Sequence, residues 1–175
     1  MKHSVVTPIS REMVESFRAG DRVYISGKIY TARDQAHLRL ITDEAPNFDL
    51  QDAVIYYVGP TPPRPGNPIG SSGPTSSYRM DNLAIPLMKR GLRVMIGKGD
   101  RSKLFIEEMI NNRAVYLIAT GGTGALLASC IKSSRVIMYE DLGTEAVHEL
   151  IVENFPCFVA YDIFGGSIFF DKDKS

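Results

Sequence analysis

The chain has no tryptophan, only two cysteines, and no excess of charge of either sign, with 20 Lys+Arg against 20 Asp+Glu in 175 residues. Charge balance excludes the strong basic excess of a protein held mainly by nucleic-acid phosphates or an anionic membrane surface, so any anion site has to be local. Cys130 and Cys157 are far apart and belong to no CxxC or Cys/His pattern. They support neither a disulfide framework nor a zinc or iron–sulfur site built from this chain, and they fit a reducing cytoplasm. No window approaches the ~20 apolar residues of a bilayer crossing, and the opening MKHSVVTPIS carries no visible targeting address. There is also no internal repeat, low-complexity tract or linker. A chain with 44% hydrophobic and 23% charged residues builds one core and is short for two, so residues 1–175 read as a single domain, soluble and cytoplasmic.

Periodicity supplies the elements. Met13, Val14 and Phe17 fall at helical spacing after Ser10, an N-cap, with Gly20 as the stop, which predicts a helix over 11–17. Val23, Ile25 and Ile29 alternate in a strand over 22–30; Thr31 then caps a helix over 32–41, and a second strand covers 53–58. Residues 59–74 break every period with Pro60, Pro62, Pro63, Pro65, Pro68 and Pro74, which makes them a shaped loop of the kind that carries function. Beyond it helices (80–90, 102–112, 124–132) alternate with strands (92–96, 114–119, 135–139), followed by a short helix at 144–151, a strand at 158–162 and an edge strand at 168–170. Alternation of this kind is α/β order.

Several stretches offer chemistry. Gly73-Pro-Thr-Ser-Ser-Tyr-Arg-Met-Asp81 runs from the rigid loop into a helix with hydroxyls, backbone N–H groups and a guanidinium within a turn. That suits a carboxylate or phosphate; the plainer alternative is that Thr75 or Ser76 caps the helix while Arg79 pairs with a nearby acid. Lys98, flanked by Gly97 and Gly99 at a strand end, stands where ligands gather in open α/β sheets, or is simply a turn lysine; the P-loop spacing is absent. Thr120-Gly-Gly-Thr-Gly124 lacks the GxGxxG spacing and reads better as a tight turn than as a dinucleotide site. Arg33, Asp34, His37 and Arg39 read as a solvated charged face, and both cysteines as buried small hydrophobes. Glu140 and Asp141 suit the N-terminal dipole of the helix that follows. Together Arg33, Arg79, Lys98 and the hydroxyls at 75–77 form a site for a small, highly anionic substrate if the fold makes them converge.

The segments Tyr30-Thr-Ala-Arg-Asp-Gln-Ala-His37, Gly73 to Asp81, Ile96-Gly-Lys-Gly99 and Glu140-Asp-Leu-Gly-Thr-Glu-Ala146 stand in the order and spacing of class I fumarate hydratases. Over nearly its whole length the chain resembles their C-terminal domain, or the separate β subunit of two-chain enzymes; the L(+)-tartrate dehydratase β subunit shares this framework. The resemblance implies a swivelling β/β/α domain that closes over a small dicarboxylate. The iron–sulfur (4Fe-4S) cluster then belongs to a partner α subunit, in an α2β2 heterotetramer, with no metal bound by this chain. It implies further that Arg33, Arg79 and Lys98 hold the substrate carboxylates and that Thr75 is the base removing a proton from malate. Ser76, Ser77 and Tyr78 depart from the Thr-Ala-Gly common at their place, 162–170 departs from the usual Asp-Lys-Gly-type ending, and His37 receives no role. Outside the enzyme class, a regulatory module binding a dicarboxylate or phosphate uses the same cationic loops.

Overall fold

A computed structural model describes residues 1–60, 63–68, 70, 77–119 and 124–169, the side chains at 125 and 126 apart. Four parallel pairings run from β1 (Lys2–Val6) through β2 (Arg22–Thr31), β3 (Val54–Tyr56) and β4 (Val94–Gly97) to β5 (Val115–Ala119). A long strand, β7 (Val147–Tyr161), then pairs antiparallel with β5 on one side and with β2 on the other. Strands β2, β3, β4, β5 and β7 thereby close into a five-stranded barrel, with β1 and β6 (Ile131–Met138) attached outside the ring. Closure removes the edges that an open sheet would leave unpaired.

Period-two alternation divides the core. Val54, Tyr56, Val94, Ile96, Val115 and Leu117 face the barrel interior. Ile55, Tyr57, Met95 and Tyr116 face outward, under Ala36 and Leu40 of α2 (Asp34–Thr42), Ala84 and Leu87 of α3 (Asp81–Lys89), and Phe105 and Met109 of α4 (Lys103–Asn111). Each such side chain stabilises the fold by about 1.5–3 kcal/mol through burial. The α/β architecture is as expected: parallel strands alternate with helices, of which α2, α3 and α4 cover the outer face while Val14 of α1 (Arg11–Glu15) and Leu127 of α5 (Gly124–Ala128) pack into the interior cluster.

The helix at the start is α1 (Arg11–Glu15), with Ser10 Oγ accepting from the Met13 N–H at 3.2 Å. Ser102 caps α4 in the same way through the Phe105 N–H. Elsewhere the structure corrects the pattern. Thr31 caps nothing: it ends β2, and its hydroxyl accepts from the His148 N–H at 3.0 Å, while Arg33 is the residue before α2. The helix over 124–132 is only α5 (Gly124–Ala128), because β6 begins at Ile131 and extends the strand expected over 135–139. No helix exists at 144–151; a 3-10 turn at Glu140–Glu145 leads straight into β7. Residues 168 and 169 form no edge strand, and residue 170 lies outside the described residues. β1, paired with β2, is a strand that the periodicity left unassigned.

Candidate functional site

Parallel strands β3 and β4 end beside the start of α2 and the 3-10 turn Ser77–Met80, and here the candidate residues lie. Arg33 immediately precedes α2. Its side chain runs against Gly59, just past β3, so closely that a Cβ at Gly59 would stand 3.1 Å from both Cδ and Nη1 of Arg33 and 3.3 Å from the Thr144 carbonyl oxygen. A side chain at Gly59 would have to push the Arg33 guanidinium aside by a few tenths of an ångström, so glycine suits the packing here. The next residue, Asp34, pairs with Arg79 of the 3-10 turn, Nη2 to Oδ1 at 3.5 Å, with no hydrogen bond between them and the Arg79 side chain half exposed.

Lys98 is exposed and follows β4 directly. The Ser77 N–H donates to the Lys98 carbonyl at 3.0 Å, and the Lys98 N–H donates back to Ser77 Oγ at 3.1 Å. A Cβ at Gly97 would overlap Ser77 Oγ, so the glycine before Lys98 is what admits the serine. Arg33 is thus linked through Asp34 to Arg79, and the turn carrying Arg79 is linked through Ser77 to Lys98. Three cations expected from the sequence sit on adjoining segments at one end of the barrel. Thr75, with the other hydroxyls of that run apart from Ser77, lies outside the described residues, as does 120–123 of the glycine-rich turn.

Under this surface is a buried polar layer that the sequence reading missed. The Arg101 guanidinium is enclosed between the rings of Phe105, Tyr116 and Tyr57, at 3.5, 4.8 and 5.1 Å from their centroids. Its Nε donates to Asp81 Oδ1, and the other Asp81 oxygen accepts from the Ser102 N–H at 2.7 Å. Both residues stood beside quoted motifs, Asp81 ending one and Arg101 following the Lys98 turn, but nothing local marked them as a pair. His37 is not on a solvated face: it is fully buried, edge-on to Tyr57 at 5.4 Å, with Nδ1 donating to the Arg33 carbonyl at 2.8 Å. Burial drives its pKa down to about 4, with the Arg101 charge acting in the same direction, so the ring is neutral and Nε2 carries the lone pair.

Among the described residues, the buried side-chain polar atoms without a hydrogen-bond partner are Arg33 Nε, Asp34 Oδ1, His37 Nε2 and Arg101 Nη1. All four belong to α2's first turn and the layer beneath it. Buried groups of this kind are ordinarily satisfied, and their clustering sets this corner apart from the rest of the described residues. The Glu140–Glu145 turn borders the site through Thr144, and Asp141 is held by Arg39 of α2 in a bidentate pair at 2.6 and 2.8 Å rather than by a helix dipole. Cys157 is buried and its thiol is pushed up by burial, whereas Cys130 is only partly covered.

The family described as Fumarase C-terminus matches residues 2–172. A chain of Methanocaldococcus jannaschii provisionally named L(+)-tartrate dehydratase subunit beta is 38% identical over 176 residues, 95% of this chain and 90% of that one. The anaerobic class I fumarate hydratase of Escherichia coli is 34% identical over 163 residues, 89% of this chain and 30% of the enzyme. Mitochondrial fumarate hydratase 1 of Leishmania major is 36% identical over 155 residues, 85% of this chain and 28% of that one. The chain therefore spans nearly all of the archaeal subunit but only about a third of the length of the fumarate hydratases.

Proposed function

Because the chain belongs to the fumarase C-terminus family, whose relatives above are named as hydratases and dehydratases, we propose that it is the β subunit of an iron–sulfur-dependent hydro-lyase interconverting fumarate plus water with (S)-malate. The observation that carries this reading is the linkage of Arg33, Arg79 and Lys98 around the ends of β3 and β4. A four-carbon dianion needs opposed cations to fix both ends, and guanidinium groups do so with defined orientation. Arg33 and Arg79 supply the oriented donors, and Lys98 a compact charge on a flexible stem. Thr75, two residues before Ser77, is the proposed base. A threonine hydroxyl is a poor base at its ordinary pKa, so its role requires these cations and a dry, closed interface to stabilise the alkoxide.

The donor set of this chain does not fit an iron–sulfur cluster: it has two cysteines, one of them buried, and the described residues hold no group of three His, Cys, Asp or Glu side chains placed for a metal. We assign the cluster to an α subunit, with which this chain forms an α2β2 heterotetramer in the cytoplasm and over whose site it swivels shut as a single domain spanning 1–175. A second reading, the β subunit of an L(+)-tartrate dehydratase, is favoured by the match over nine-tenths of the archaeal chain.

Copurification with the α partner and assay on fumarate, (S)-malate and L(+)-tartrate tests the reading. The isolated chain is expected to be inactive and the assembled complex active either on the fumarate–malate pair, in both directions, or on L(+)-tartrate. Thr75→Ala is expected to assemble normally and lose 100-fold or more in turnover, in the range of general-base catalysis. Robust hydration by the isolated chain overturns the split site, near-normal turnover by assembled Thr75→Ala removes that residue from the chemistry, and dicarboxylate binding without turnover by the complex leaves a regulatory module.

A further inference from the structure

Ser77 joins the two segments that carry Arg79 and Lys98, and it does so through a directed chain of hydrogen bonds. Tyr116 Oη lies 2.8 Å from Ser77 Oγ and 2.9 Å from the Gly99 carbonyl oxygen. A carbonyl only accepts, so the single phenolic proton goes to Gly99, and the Ser77 hydroxyl supplies the proton between the two side chains. The order is then Lys98 N–H to Ser77 Oγ, Ser77 O–H to Tyr116 Oη, Tyr116 O–H to Gly99 carbonyl, with the Lys98 carbonyl closed off by the Ser77 N–H. Every link is saturated, and the bonds lie in a buried setting where they polarise one another.

Tyr116 is itself closely packed. It sits on β5 with no exposure, its ring against the Arg101 guanidinium and edge-on to Phe105. Gly97 closes the arrangement from the strand side, since any larger residue there would displace Ser77 Oγ and press on Tyr57. The lysine turn is thus pinned at Lys98 N–H, Lys98 carbonyl and Gly99 carbonyl, against a serine two residues from Arg79 and a tyrosine anchored in the sheet.

We infer that Ser77, oriented by Tyr116, is a positioning residue that sets the spacing between Arg79 and Lys98 and thereby selects the length of the diacid held between them. The inference rests on the dicarboxylate reading above and goes beyond it in assigning length selection to two residues outside the cation set. Fixing the two backbone segments from which the cations extend narrows the carboxylate separations they can bridge; loosening the segments widens that range.

The test uses the assembled complex, with kinetics on its four-carbon substrate and inhibition by malonate, succinate and glutarate. Ser77→Ala is expected to raise KM about tenfold with kcat changed less than threefold, and to flatten the preference for succinate over glutarate at least fivefold. Ser77→Thr, which keeps the hydroxyl, restores both to within threefold of wild type. Tyr116→Phe keeps the ring and removes the last two links, so it moves KM and the inhibitor ratio in the same direction; it carries the test if Ser77→Ala fails to assemble. Unchanged KM and inhibitor ratio alongside a lowered Tm would reduce Ser77 to packing and overturn the inference, as would a fall in kcat alone. A wild-type complex inactive on every diacid sinks the proposed function instead, whereas an active wild type with unmoved variants sinks only the positioning role.

Discussion

His37 shows how one buried side chain ties stability to the site. In the sequence it sat among Arg33, Asp34 and Arg39 and read as part of a charged face, yet it shares the inner stripe of α2 with Ala36 and Leu40. Its position one residue after Ala36 made both faces compatible with the period, and only the contact with Tyr57 decides between them. Because burial lowers its pKa from 6.5 to about 4, the unfolded chain binds the proton that the folded chain refuses. The sign follows: the contribution is complete above pH 6.5 and is lost as pH falls towards 4. Denaturant titrations at pH 7 and 4.5 are expected to differ by about 2–3 kcal/mol from this group, a slope that His37→Gln removes. Equal pH slopes for the two proteins would show that His37 is not the group responsible. Gly59 and Gly97 were visible as loop and strand-end glycines, but their purpose, making room for Arg33 and Ser77, belongs to contacts between distant segments.

At the scale of elements, α3 and α4 are oriented by the ion pair between Asp81 and Arg101, which joins the first turn of one helix to the residue before the cap of the other. Both helices were legible from apolar spacing, and Ser102 as a cap from its place before Phe105. Breaking one partner leaves a buried charge unpaired, so Asp81→Ala is expected to destabilise by about 3–5 kcal/mol. The double variant Asp81→Leu with Arg101→Met should recover part of that loss, because it removes both charges; if the double variant is as unstable as Asp81→Ala, the cost lies in packing. The region 144–151 was not legible. Ala146, Val147 and Leu150 fall at helical spacing, and the period-two signal of β7 is interrupted where Asn154 takes positive φ (51°) opposite the register shift in β2. Pairing with β2 and β6 on both sides overrides the local preference.

For the molecule as a whole, barrel closure is the decisive event, and Asp162 secures it just past β7. Its buried carboxylate accepts from the Ala19, Phe164 and Gly166 N–H groups, each at 2.9 Å, tying the approach to β2 to the turn after β7. Asp162→Ala strands these donors and is expected to cost about 2–4 kcal/mol, read as a lowered denaturant midpoint; a midpoint within 0.5 kcal/mol of wild type would mean that other contacts close the ring. The α/β class and the succession of helices and strands from α1 to β5 were legible in the sequence alone, because hydrophobic period and turn residues act over short stretches of chain; β1 was not, and the proline-rich run lies partly outside the described residues. Only the tertiary structure decided that β7 seals β5 to β2, that Arg101 and His37 lie under the site rather than on the surface, and that Ser77 bonds Lys98. Those outcomes depend on which surfaces meet across as many as 143 positions, and no local pattern encodes such a meeting.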